Sequence, residues 1–86
     1  MAEPSTSSSA ATPEQAVRRL LITMADELAH NDPNRPLTST GRGAMILRLT
    51  GRGPLYDLLL KRAPRITTPV RRAAYSARLR QIAGVR

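Results

Sequence analysis

Two Gly-Arg-Gly triplets, Gly41-Arg42-Gly43 and Gly51-Arg52-Gly53, enclose the apolar run from Ala44 to Thr50. A glycine inside a helix costs about 1 kcal/mol relative to alanine. Pro54, directly after the second triplet, suits the first turn of a helix and not its interior. One long helix through the middle of the chain is therefore excluded, and the enclosed run is limited to a short helix or a short strand. As a strand, residues 44–61 would fold back through the loop at 51–54 into a β-hairpin. Composition opposes this, because only Ile46 and Thr50 are β-branched in the two segments and strands favour such residues. Two short helices are the expected arrangement: Leu37-Thr38-Ser39-Thr40 offers several N-cap candidates for the first, but the cost of Gly41 and Gly43 inside it favours a start near Gly43, and the hairpin 44–61 is the alternative.

The strongest local signal lies upstream. Thr12-Pro13-Glu14-Gln15 has the form of a helix start: Thr12 as N-cap, Pro13 at the first helical position, Glu14 near the positive dipole end and Gln15 closing a capping box. Val17, Leu20, Leu21, Met24 and Leu28 then recur on one face, and Gln15, Arg19, Asp26 and His30 fall on the opposite one. Ile22 points to the polar side and is expected to be exposed. His30, just before Asn31-Asp32-Pro33, suits the negative end of the helix dipole.

Downstream, Leu55, Tyr56, Leu58, Leu59 and Leu60 cover more than half of the helix that starts at Pro54, which predicts a central, many-sided burial. Asp57 and Lys61 stand four apart in the favourable order for an ion pair. Ala63-Pro64 ends that helix. Thr68 as N-cap and Pro69 at the first position would start the last one, which runs to about Ala83 with Gly84 as its terminator. This last helix has a small-residue face, Val70, Ala73, Ala74 and Ala77, and a bulkier one, Tyr75, Leu79 and Ile82. Two apolar faces predict packing between neighbours, one of which belongs to a second chain.

Met1 to Ala11, with five consecutive Ser and Thr residues, has too little apolar surface to offset its ordering entropy, so residues 1–12 are expected to be a disordered tail and 13–86 one small domain. The fold class expected is all-α, a small bundle of three to four short helices behind that tail. Its core is aliphatic, for the 86 residues hold no Phe or Trp and two Tyr. A core of this size is marginal, which favours a homodimer.

With no Cys and one His, the chain lacks the ligands for a thiolate metal site, a disulfide framework or a thiol nucleophile. Asp26 and Glu27 are adjacent and point apart on a helix, so no carboxylate pair is placed for acid–base work. The expectation is a non-enzymatic protein with no cofactor, metal or small-molecule substrate. No apolar run reaches the roughly 18 residues a membrane helix needs, and no leader sequence is evident, so a soluble, cytoplasmic protein is expected.

Charge is the most informative property. The net charge is +8, and residues 1–34 carry two Arg against five acids while residues 35–86 carry twelve basic residues against Asp57 alone. GC-rich coding also favours Arg over Lys, so the weight rests on the asymmetry. A half so basic points to a polyanionic partner. Arg42, Arg52, Arg65, Arg71, Arg72 and Arg78 are the candidate phosphate contacts, with double-stranded DNA as the expected partner because stacking aromatics are nearly absent. Gly51-Arg52-Gly53-Pro54 has the form of an anion-binding helix entry but lacks the Lys-Ser/Thr of a P-loop. It also differs from the Arg-Gly-Arg-Pro of minor-groove hooks. Residues 44–62 have the size of a helix-turn-helix, but the second helix is too leucine-rich to expose a recognition face, which leaves the last helix as the better DNA candidate. The alternative is a small inhibitor or adaptor that docks on an acidic partner protein.

Overall fold

The computed structural model describes residues 12–85. It holds four helices, α1 (Pro13–His30), α2 (Ser39–Thr50), α3 (Pro54–Arg62) and α4 (Arg72–Ala83), and a two-stranded antiparallel ladder of β1 (Pro36–Leu37) and β2 (Val70–Arg71). The chain is a small helical bundle, and residues 44–61 form two helices, not a hairpin. The tail expected at the N-terminus lies outside the described residues, apart from Thr12, which belongs to the helix start. None of the described helices is long and apolar enough to cross a membrane.

α1 is the spine. Its capping box is formed as the residues dictate: Thr12 Oγ1 accepts from the Gln15 N–H, and the Gln15 side chain accepts from the Thr12 N–H, both at 3.1 Å. Val17, Leu21, Met24, Ala25 and Leu28 are buried along one face. Ile22 is not exposed as expected but half-buried, packed against the rim of the core. His30 Nδ1 lies 2.7 Å from the Asp26 carbonyl oxygen, closing the last turn.

α4 lies antiparallel against α1, and its buried face is Tyr75, Ser76, Leu79 and Ala83. Polar contacts along the seam fix the register: Arg18 Nε to the Ala83 carbonyl at 2.7 Å, Ser76 Oγ to the Ala25 carbonyl at 2.7 Å, and Arg72 Nε to the Asn31 carbonyl at 2.9 Å. The small-residue face expected to be packed is the outward one, because Ala73, Ala74 and Ala77 are exposed. Gly84, in the left-handed region at φ 79°, ends α4, with the Val85 N–H returning to the Arg80 carbonyl.

Two helix boundaries and one packing role differ from the sequence reading, each for a physical reason. α2 begins at Ser39, not near Gly43, since Thr38 caps it through Oγ1 to the Gly41 N–H at 3.1 Å. Gly41 is closely approached there: a Cβ would stand 3.3 Å from Leu37 Cδ1. α4 begins at Arg72, not after Thr68-Pro69, because Val70 and Arg71 are drawn into pairing with Leu37 and Pro36. Its first N–H groups are satisfied by distant backbone, Arg72 N to the Arg35 carbonyl at 3.0 Å and Ala73 N to the Pro33 carbonyl at 2.8 Å. α3 is peripheral, not central. Only Leu59 is buried on it, and Leu58 is 37% exposed, because its nine residues rest on α2 and on the edge of α1. Asp57 and Lys61 do not form the expected ion pair among the described residues.

Candidate nucleic-acid interface

The six arginines singled out by the sequence divide into three groups. Arg42 is 7% exposed and turned inward. Its Nε donates to the Tyr75 hydroxyl at 3.2 Å, and its Nη2 donates to the carbonyls of Leu60 at 2.5 Å and Ala63 at 2.8 Å. Those carbonyls belong to the last turn of α3, where a helix leaves acceptors unsatisfied and its dipole is negative, so the guanidinium closes α3 from outside. The expectation that Arg42 reaches into solvent as a phosphate clamp is overturned by this burial. The apolar spacing holds the reason: Arg42 precedes the buried Met45 and Ile46 by three and four residues and shares their face.

Arg72 forms the second group. It is half-buried, and its Nε is committed to the Asn31 carbonyl at the end of α1. Arg52, Arg65, Arg71 and Arg78 form the third, all exposed and without a carboxylate within 4.0 Å among the described residues.

The fold does not bring all four to one place. The start of α2 meets the end of α3, as the Arg42 contacts require, so Arg52, in the turn between them, is at the far end of that helical hairpin. A 12-residue helix is about 18 Å long, which sets the scale of the separation. Gly51 and Gly53 hold the turn at φ 71° and 151°, a backbone only glycine adopts without strain. Near the start of α2 are Arg65 and also Lys61, which sequence reasoning left out of the site although it is the only lysine. Arg71 pairs across the ladder with Pro36, three residues before α2 begins.

Acids elsewhere are largely neutralised. Asp26 pairs with Arg80 at 2.5 Å, Glu27 with Arg48, Asp32 with Arg35 at 3.8 Å and Glu14 with Arg62 at 4.0 Å. Asp57 alone among the described acids has no such partner. The acidic residues of α1 are thus mostly taken up by arginines of the basic half, and the cations that remain face solvent.

Tyr75, assigned by the sequence only to an apolar face, is the polar centre of the interior. Fully buried, it accepts from Arg42 and donates to the Pro64 carbonyl at 2.5 Å. Burial raises its pKa above the ordinary value of 10.0, and the hydrogen bond and charge of Arg42, with the charge of Arg78, work in the opposite direction. Arg78 therefore stands within electrostatic reach of this centre.

Comparison with protein-family models, with curated proteins and with solved structures returns no match to this chain.

Proposed function

We propose that the chain is a non-enzymatic nucleic-acid-binding protein that contacts the phosphates of duplex DNA through Arg52, Arg65, Arg71 and Arg78, with Lys61 beside Arg65. The observation that carries this reading is the state of the charges. Four of the five described acids already hold an arginine, while these five cations are exposed with no carboxylate partner among the described residues. Unneutralised surface arginines attract a polyanion at long range and hold its phosphates with charge-assisted hydrogen bonds. A labelled random duplex, titrated between about 50 and 300 mM salt, tests it. Neutralising about four phosphates gives a log–log slope of roughly −4. Absence of binding at the lowest salt refutes the reading.

A second reading, a docking module for an acidic partner protein, is favoured by one feature. Pro13, Val17 and Leu58 line an apolar groove between α1 and α3, and Lys61, Arg62 and Glu14 stand at its edge, with Glu14 paired to Arg62 so that Lys61 carries the uncompensated charge. An acidic amphipathic helix suits such a surface, and a second copy of the chain would also bury Leu58 there as a homodimer. Partner capture that survives nuclease treatment and is lost in Leu58→Glu separates this reading from the first.

A further inference from the structure

A pocket of about 560 Å³ opens between the first turn of α2 and the end of α3, lined by Ser39, Arg42, Leu60, Lys61, Arg65, Ile66 and Thr67. No acid is among these residues, and three of them are cationic. Two hydroxyls, from Ser39 and Thr67, stand beside the charges. Three independent features of this place favour a compact anion. First, it adjoins the N-terminus of a 12-residue helix, whose Ser39 and Thr40 N–H groups have no intrahelical acceptor and whose dipole end is positive. Second, Arg42 is more than nine-tenths buried in the pocket wall with no carboxylate within 4.0 Å among the described residues, so its charge is met only by carbonyl dipoles and the Tyr75 hydroxyl. Its Nη1 makes no hydrogen bond within the described residues. Third, Lys61 and Arg65 bring two more charges to the rim, and both are exposed.

We infer that this pocket binds a dianionic phosphate monoester, held by Lys61 and Arg65 with the Ser39 and Thr67 hydroxyls, while the buried Arg42 adds its charge from the wall behind them. Leu60 and Ile66 give the rest of the ligand an apolar wall, and the volume falls within the range of small-molecule sites. The site goes beyond duplex binding, since it recognises one phosphate group in a concave place and needs no helical backbone.

Nuclear magnetic resonance titration of the full chain tests it with three probes: inorganic phosphate, a nucleoside 5′-monophosphate, and a short single strand with or without a 5′-phosphate. Shifts are expected at the Ser39 and Thr40 amides and the Arg42 Nε–H for every probe carrying the dianion. The 5′-hydroxyl strand should leave them unmoved. Binding should strengthen as the monoester loses its second proton at about pH 6. The exposed pair Lys61→Ala/Arg65→Ala should weaken each phosphate probe by about tenfold or more with the melting curve retained, while Arg19→Ala, at an exposed position of α1 outside the pocket lining, changes nothing. Tighter binding of the strand end than of the free nucleotide assigns the phosphate to nucleic-acid termini, and the reverse order assigns it to a free metabolite; either upholds the pocket. Shifts spread over the exposed arginines, or affinity unchanged in the double variant, overturn it. A blunt duplex without terminal phosphates, run in parallel, tests duplex binding separately.

Discussion

Arg42 Nε and the Tyr75 hydroxyl meet at 3.2 Å across 33 residues of sequence, which ties α2 to α4 through a buried, charged hydrogen bond. The same guanidinium caps α3 at Leu60 and Ala63, so three of the four helices converge on one side chain. Its contribution is structural first, and the first two expectations concern stability.

Arg42→Ala leaves the Leu60 and Ala63 carbonyls without their donor and empties volume from the wall of the core. Each buried orphan costs about 1–3 kcal/mol, so a loss of roughly 2–5 kcal/mol is expected. A domain of this size has little more than that in total. Urea denaturation followed by circular dichroism checks it, and a variant as stable as the parent contradicts the role assigned to Arg42.

Tyr75→Phe keeps the ring and removes the hydroxyl that joins Arg42 to Pro64, at a smaller cost of about 1–2 kcal/mol. It also changes the dependence on pH. Because burial raises the Tyr75 pKa in the folded state, the neutral phenol is the form the fold prefers. Its contribution is complete below the unfolded value of about 10 and declines as pH rises through the folded pKa. Parent protein should lose stability above about pH 10 by more than the phenylalanine variant does, as read from paired melts across that window.

Gly43 lies inside α2 with nothing within 4 Å of where a Cβ would stand, whereas Gly41 has Leu37 Cδ1 at 3.3 Å. Gly43→Ala should therefore raise stability by up to about 1 kcal/mol through helix propensity alone. Gly41→Ala should gain less or lose, because Leu37 is buried and has little room to give. Comparing the two melting temperatures tests the helical placement of both glycines.

For duplex binding, Arg71→Ala and Arg65→Ala should each lower the magnitude of the salt slope by about 1 and weaken binding alike on all sequences. Arg48→Ala and Arg80→Ala should alter it little, since those side chains already hold Glu27 and Asp26. An equal loss in all four variants would point to net charge alone and remove the assignment to particular residues.

How much of this was legible in the sequence depended on the range of the interaction concerned. α1 could be read almost residue by residue, because a capping box and an apolar stripe are both complete within a few turns. The end of α4 at Gly84 was equally local. Its start was not: Thr68-Pro69 carries a sound local signal, and it is overridden by pairing of Val70 with Leu37, 33 residues away. Gly41 misled in the same manner, since its propensity cost is visible and the close approach of Leu37 beside it is not. For the site, an arginine between two glycines looked solvent-facing. The three- and four-residue spacing from Arg42 to Met45 and Ile46 was the available sign that it shares the apolar face.

The capping of α4 by the Arg35 and Pro33 carbonyls has a consequence for motion. Helix ends ordinarily fray, and their first amides exchange with solvent through small local openings. Here the Arg72 and Ala73 amides are bonded to the connector between α1 and α2, and Arg72 also grips Asn31. To free either proton, the connector must lift away from β2 and the ladder must part. The beginning of α4 should thus exchange hydrogen as slowly as the middle of the bundle, while the start of α3, where Gly53 supplies no side-chain cap, exchanges first.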